Sequence, residues 1–302
     1  MKKKIKTWGA LFMLAVTLMT SVPAVVKADG VTGQEGYVPY LSLGADLKES
    51  ERATVLKLMD ITEEDVKNFD VIEVTNEEEK KYLGEYVDAS IIGSRALSSV
   101  LVVKKEDGYG ITVDTHNITY CTQGMYCNAL ITAGIENAKV VAAGPFEITG
   151  TAALVGAMQA YSVMTGKEIT EETMDTAVNE LVVTGNLAED IGDSEKVEQL
   201  MAMVKQEIIE GDLKDPEEIG QAVGEAAKQM GIELSEDQVA RVTSLMEKIS
   251  TLDIDKEALK DQAEKLYDKI SNMDTQGFLD KVEQFLNSLF EFFSDFFTNL
   301  FH

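Results

Sequence analysis

The chain has 302 residues, of which 45% are hydrophobic and 26% are charged, a balance that is typical of a folded protein and excludes an intrinsically disordered one. Its 27 Lys and Arg residues stand against 53 Asp and Glu residues, which gives a formal net charge of −26. Because nucleic acids and anionic bilayer surfaces bind proteins through clustered cations, this charge argues against both as partners.

The first 28 residues have the features of a secretory signal peptide. Lysines precede an apolar stretch from Trp8 to Met19, and Val26 and Ala28 place short side chains at the positions that signal peptidase inspects. We expect cleavage before Asp29, which leaves a product with a net charge of −31. An uncleaved membrane anchor is the alternative, but the apolar stretch is shorter than the about 20 residues that span a bilayer. We therefore predict a secreted, extracytoplasmic protein that is associated with the cell envelope.

Residues 29–167 carry both helix and strand signals, and we predict an α/β-containing N-terminal domain there. In chain order the predicted elements are helix 46–59, a short helix capped by Thr62, strand 70–75, helix 76–92, strands 97–103 and 111–119, helix 125–133, strand 138–143 and helix 151–164. The dipeptide Asp107-Gly108 between two β-rich runs is typical of a hairpin turn. The order strand, helix, strand, helix that follows indicates a parallel crossover beside this hairpin, and hence a mixed sheet with flanking helices.

Residues 168–275 read as an acidic, all-α domain, so the predicted fold class is α+β with a helical second half. The segment from residue 168 to the end of the chain has a net charge of −21. Ser235 and Gln238 match a capping box, and Asp215 followed by Pro216 is a typical helix start. Each helix has one apolar face, which it can bury only against its neighbours. We place the boundary between the two domains near Gly166.

Residues 276–302 are predicted to form a separate, amphipathic and Phe-rich C-terminal helix. Eight of the eleven phenylalanines lie between Gly277 and Phe301. Its apolar stripe contains Phe278, Phe285, Phe293 and Phe296. Packing onto the body of the protein, docking on an envelope partner or a second copy, and contact with a membrane are the three alternatives. The last is the least favoured, because interfacial helices usually carry Lys and Arg on the polar face and this segment has only Lys281.

Cys121 and Cys127 are the two cysteines of the chain. An exported chain meets an oxidising or non-reducing environment, where disulfides persist. The two positions are too far apart to be bridged along one straight helix, since each residue adds about 1.5 Å. A turn at residues 122–124 would bring them together, and we predict a local disulfide.

His116 is the one histidine before the terminal His302, and it lies close in sequence to Cys121 and Asp114. A cysteine nucleophile with a histidine base and an Asn or Asp orienting residue is therefore a weak catalytic hypothesis. A zinc site that uses His116, Cys121 and Cys127 is a further alternative. Because active sites usually gather residues that are distant in sequence, we favour a hydrogen-bonded structural histidine over both.

Two helix starts could present free N–H groups to a small ligand, one at Gly150 and Thr151 and one at Thr122. The signal is weak, because every helix start has this geometry. The sequence contains no dinucleotide-binding glycine motif, no Walker loop, no His-Glu-x-x-His motif and no EF-hand calcium loop. We therefore predict no cofactor and no metal.

Several short segments resemble the YpuA-like family of exported Gram-positive proteins, a domain of unknown function (DUF1002). They are residues 115–119, 125–126, 128–130, 133–135, 150–154 and 165–169. The similarity extends from about Gly44 to Ile270. It implies an extracytoplasmic location and a shared fold, and it carries no known activity or catalytic residues.

Catalytic motifs are scarce and one amphipathic segment lacks an evident partner, so we predict a non-enzymatic binding or protein-interaction module. The alternatives are an envelope hydrolase or transferase that uses His116 and Cys121, and a protein that binds small ions.

Overall fold

The computed structural model describes residues 33–270. The predicted signal peptide and the predicted Phe-rich helix at residues 276–302, including its four phenylalanines, lie outside the described residues. The described part opens with a mixed sheet and its helices and continues as a helical half, which confirms the predicted α+β class.

Five strands form one sheet in the order β2-β1-β3-β5-β4. The strands are β1 (Tyr40–Gly44), β2 (Asp70–Val74), β3 (Ser99–Lys104), β4 (Ile111–Ile118) and β5 (Ala138–Ile148). β4 and β5 are parallel and are joined through a helix, which confirms the predicted crossover. β1 was not predicted, because all five of its residues are buried and it lacks the alternation of polar and apolar residues that marks a half-exposed strand.

The predicted hairpin of β3 and β4 is wrong, because β5 lies between these two strands. β5 pairs antiparallel with β3 from Ser99 to Lys104 and parallel with β4. The Asp107-Gly108 segment is therefore part of a loop that crosses over the start of β5 instead of a tight turn. Asn137, just before β5, anchors this loop by accepting hydrogen bonds from the amides of Lys105 and Gly110.

Eleven helices complete the described part of the chain. Those of the first half are α1 (Glu49–Leu58), α2 (Glu63–Val66), α3 (Asn76–Leu83), α4 (Ala89–Ile92), α5 (Gln123–Thr132) and α6 (Thr151–Thr165). Those of the second half are α7 (Glu171–Ile191), α8 (Ser194–Gly211), α9 (Pro216–Gln229), α10 (Glu236–Thr251) and α11 (Lys256–Ile270). The predicted caps at Thr62, Asp215 and Ser235 are all formed, and Lys48 rather than Asp46 precedes α1.

The sheet separates two hydrophobic cores. The smaller core packs α1 against Leu41, Leu101 and Val141 on one face. The larger core lies on the other face, includes Val102 and Val140, and continues without a break into helices α5 to α11. The described helices include none that is long and apolar enough to cross a membrane.

Candidate functional site

The sheet gathers the carboxyl ends of four strands at one edge. β1 is parallel to β2, β4 is parallel to β5, and β3 runs antiparallel to both β1 and β5. The carboxyl ends of β1, β2, β4 and β5 therefore lie at the same edge as the start of β3. Ligands of open α/β sheets bind in the crevice outside the carboxyl ends of the strands, so a site is expected at this edge.

A cleft of about 320 Å³ opens at this edge, and we call it the carboxyl-edge cleft. The volume is at the small end of the range of about 300–1,000 Å³ that is typical of ligand pockets. The apolar side chains that line it are Ile91, Ile92, Leu97, Phe146 and Ile148. The polar side chains that line it are Glu79, Ser94, Arg95, Ser98, Thr149 and Thr151.

Glu79 forms the buried acidic wall of the carboxyl-edge cleft. The capping box of Thr75 and Glu78 starts α3 directly after β2, and this start brings Glu79 to the sheet edge. The side chain is only 2% exposed. Its carboxyl oxygens accept hydrogen bonds from Thr151 Oγ1 at 2.9 Å and from Asn76 Nδ2 at 3.2 Å. Burial raises the pKa of Glu79 above its usual value, and these two donors partly oppose the rise.

The start of α6 forms the floor of the cleft. Gly150 adopts a φ of +95°, and a Cβ at this position would lie 2.6 Å from a methyl carbon of Ile118, so glycine is required there. Tyr126 donates a hydrogen bond from its hydroxyl to the Gly150 carbonyl at 2.5 Å. The amide of Ala153, in the first turn of α6, donates to Ser98 Oγ at 2.9 Å. α5, α6 and the segment directly before β3 are thereby tied together around the cleft.

Arg95 is the one cation among the residues that line the cleft, and its charge is already paired. Its Nη2 lies 2.7 Å from Glu51 Oε2 and also donates to the Asp46 carbonyl at 2.7 Å. A second contact, from Nη1 to the other oxygen of Glu51, measures 3.4 Å. The guanidinium thus braces the segment between α4 and β3 against α1.

The predicted catalytic residues do not come together. His116 pairs with Ala143 across β4 and β5 and therefore shares the sheet face of the smaller core. Cys121 lies in the larger core on the opposite face. Asp114 is exposed and lies 3.9 Å from Lys139. The sheet thus separates the proposed base from the proposed nucleophile, and it separates His116 from both cysteines of the zinc alternative.

The predicted disulfide is absent, although both cysteines belong to the part of the chain that the structure describes. The expected turn at residues 122–124 is instead the start of α5, with Thr122 as its cap. Cys127 is therefore carried up the helix and away from Cys121. Burial raises the pKa of the Cys121 thiol to about 12, so this group is protonated at neutral pH.

The two predicted helix-start sites differ in their surroundings. Thr151 lines the carboxyl-edge cleft, and Gly150 lies directly before Thr151 in the chain. Thr122 does not line the cleft. Its hydroxyl accepts the Met125 amide at 3.1 Å and donates to Glu198 of α8. This second helix start therefore serves the contact between α5 and α8.

Three residues that line the cleft were not identified from the sequence, namely Glu79, Ser98 and Phe146. Glu79 ends a run of three acidic residues at a helix start, which is an ordinary pattern on solvated surfaces. Ser98 had no motif around it. Phe146 follows Gly144-Pro145, and this break in a β-rich run was the available signal, since such breaks mark bulges and strand ends.

Comparison with known proteins identifies the family. The DUF1002 family, described as a protein of unknown function, matches residues 43–266. The uncharacterized protein YpuA of Bacillus subtilis (strain 168) is 37% identical over 289 residues, which covers 94% of this chain and 96% of YpuA. The comparison with solved structures gave no match. The resemblance seen in the sequence is confirmed, and the chain belongs to the DUF1002 family of proteins of unknown function.

Proposed function

We propose that this protein is an exported, non-catalytic binding module at the cell envelope, and that it binds a small ligand in the carboxyl-edge cleft. The observation that carries the proposal is the cleft itself, which combines an apolar wall with four hydroxyl side chains and the buried carboxyl of Glu79. Ligand sites usually consist of such a concave surface with a few convergent polar groups.

The arrangement favours binding over catalysis. The Cys121 thiol is 1% exposed, and its raised pKa works against the thiolate that a nucleophile requires. His116 is on the other face of the sheet and cannot serve this thiol as a base. The hydroxyl of Ser98 already accepts an amide hydrogen bond from α6. These contacts describe a rigid polar surface, which suits recognition.

A blocking substitution tests the proposal. Ser94 is exposed and lines the cleft, so Ser94→Trp fills the cleft without disturbing a core. We expect a chemically diverse library of small molecules to include compounds that shift amide NMR signals of cleft residues, and Ser94→Trp to abolish those shifts. Ser50→Trp, on the exposed side of α1 and outside the cleft, is the matched control. A library that leaves the cleft signals unchanged would contradict the proposal.

Export has its own test. The leader features at residues 1–28 support secretion and cleavage before Asp29. Mass spectrometry of the native product should give a chain that begins at Asp29, and cell fractionation should recover it outside the cytoplasm. An intact leader on a cytosolic product would overturn this part of the proposal.

A second candidate function is protein interaction through residues 276–302. The concentration of eight phenylalanines between Gly277 and Phe301 favours it, because aromatic side chains dominate the energy of protein interfaces. Deletion of residues 277–302 should abolish capture of an envelope partner or change the oligomeric state, whereas Ser94→Trp should leave both unchanged. If the deletion changes neither, the segment has no such role.

A further inference from the structure

We infer that the ligand of the carboxyl-edge cleft is a neutral molecule that carries several hydroxyl groups around an apolar ring face, as a pyranose sugar does. The inference rests on the proposed function of the cleft and goes one step further, to the chemical class of the ligand. Three features carry it, namely an exposed aromatic ring, a hydroxyl-rich floor and a balanced local charge.

The exposed ring is held at the cleft by an irregularity in the sheet. The register of β4 against β5 shifts between His116 and Ile118, and Asn117 between them has a φ of +56°. Non-glycine residues seldom adopt this conformation, and bulges of this kind re-aim side chains near functional sites. The side-chain amide of Asn117 donates to the Gly144 carbonyl at 3.1 Å, which fixes the bulge just before Phe146.

Phe146 is consequently 48% exposed and forms part of the cleft lining. Ile148, two residues later, lines the same cleft. An exposed phenylalanine is costly to leave in water, and its flat face offers a large apolar surface to a ligand. A pyranose ring presents a complementary face of C–H groups.

The floor offers groups that both donate and accept hydrogen bonds. Ser98 Oγ accepts the Ala153 amide and keeps its own hydrogen and one lone pair. Thr149 and Thr151 place their hydroxyls 3.4 Å apart, and because the single hydrogen of the Thr151 hydroxyl goes to Glu79, Thr151 can only accept a further hydrogen bond. Such hydroxyls match the mixed donor and acceptor pattern of the hydroxyl groups of a sugar.

The charges disfavour an ionic ligand. An anion would face the carboxyl of Glu79 inside a chain of net charge −26, while Arg95 already pairs with Glu51. A cation would have to compete with Thr151 and Asn76, whose side chains donate to the oxygens of Glu79. A neutral ligand disturbs neither set of contacts.

The test compares probes that share a sugar ring and differ in charge. N-acetylglucosamine and cellobiose are neutral, glucosamine is cationic and glucose 6-phosphate is anionic. Each is added at millimolar concentration to the isotopically labelled protein, and amide NMR signals are followed. We expect a neutral probe to shift the signals of Ser98, Phe146 and Thr151 more than either charged probe.

Two matched variants assign the contact. Phe146→Ala should weaken binding of the neutral probes about tenfold, since this corresponds to about 1.4 kcal/mol of lost ring contact. Tyr109→Ala removes an aromatic ring that is 44% exposed and lies outside the cleft, and it should leave the affinity unchanged. Both positions are exposed, so circular dichroism should show that both variants fold.

The outcomes separate this inference from the proposed function. If a charged probe shifts the cleft signals and the neutral probes do not, the sugar class is wrong and the cleft remains a binding site. If no sugar probe shifts the NMR signals of the cleft, but library compounds shift them and Ser94→Trp abolishes those shifts, the sugar inference fails and the proposed function stands. If neither probes nor library shift the cleft signals, both fail. Equal weakening by Phe146→Ala and Tyr109→Ala would also overturn the inference.

Discussion

At the scale of single residues, Glu207 on α8 is a buried acid without a hydrogen-bond partner. It is 5% exposed, and neither carboxyl oxygen is hydrogen-bonded. Burial, together with Glu210 and Glu225, raises its pKa from 4.5 to about 9. The folded protein therefore holds this group neutral at pH values where the unfolded chain ionises it. The loss of folding stability that Glu207 causes is therefore absent below the pKa of this group in the unfolded chain. It grows with pH until the pH reaches the pKa of the group in the folded protein.

This direction of the pH dependence predicts how the stability of the Glu207→Gln variant changes with pH. Because glutamine stays neutral, the variant should gain stability over the parent protein as the pH rises from about 4.5 to about 9, reaching roughly 2 to 4 kcal/mol at about pH 8.5. Urea denaturation at about pH 5 and about pH 8.5 measures the gain. Glu233→Gln, at an exposed position, is the control. A stability difference that is equal at both pH values would contradict the prediction.

Lys205 and Glu180 form a fully buried ion pair, with both side chains 0% exposed and Nζ 2.7 Å from Oε1. Thr132 donates to the other oxygen of Glu180, and Lys205 also donates to the Asn128 carbonyl at 3.0 Å. The pair thereby joins α5, α7 and α8. Removing one partner of such a pair leaves an uncompensated buried charge, whereas removing both can be nearly neutral.

We therefore expect Lys205→Met to lower the free energy of unfolding by about 3 to 5 kcal/mol. The double variant with Glu180→Leu should recover most of this loss. Chemical denaturation of both single variants and the double variant measures the coupling between the two side chains. A single variant within about 0.5 kcal/mol of the parent protein would show that this pair does not behave as a buried charge pair.

At the scale of elements, caps start the helices where the sequence indicates. Ser235 Oγ accepts the Gln238 amide at 3.3 Å, and Gln238 Oε1 accepts the Ser235 amide at 2.8 Å. Ser235→Ala should lower stability by about 1 kcal/mol, because it leaves a helix-end amide without its partner. Ser244→Ala, at an exposed position on the same helix, should change stability much less. Thermal or urea unfolding compares the two, and equal losses would contradict a specific capping role.

Element starts such as those at Thr62 and Ser235 could be predicted because they depend on a few neighbouring residues. Strand pairing could not, since the insertion of β5 between β3 and β4 depends on contacts between distant residues. The apparent hairpin signal at Asp107-Gly108 is local and is equally compatible with a longer loop. The prediction of a disulfide was wrong for the same reason, because residues 122–124 can form either a turn or the first turn of a helix.

The candidate site was only partly foreseen for a related physical reason. Gly150 and Thr151 were indicated because a helix start follows a strand, which is a local pattern. Glu79 and Ser98 reach the same cleft from different elements, and only the parallel arrangement of β1, β2 and β5 brings them there. His116 and Cys121 were close in sequence, yet the sheet places them on opposite faces.

At the scale of the whole molecule, the larger core crosses the boundary proposed near Gly166. α5 is buried along residues 124–132, between the sheet side and helices of the second half. Asn128 donates to the Glu198 carbonyl at 3.1 Å, and Thr132 binds Glu180. A fragment that ends at residue 167 would expose these polar groups together with the apolar side chains around them.

We therefore expect residues 29–167 not to fold alone and the longer chain to unfold in a single cooperative transition. Burial of apolar surface supplies most of the stability of a domain, and this fragment loses the partner surface of α5. Far- and near-ultraviolet circular dichroism of the fragment, with thermal unfolding of residues 29–270 as the reference, measures both expectations. Co-expression with residues 168–302 should restore the fold by returning Glu180 and Glu198 to α5. A cooperative transition of the fragment by itself would instead establish an independent first domain, with α7 and α8 only docked on it.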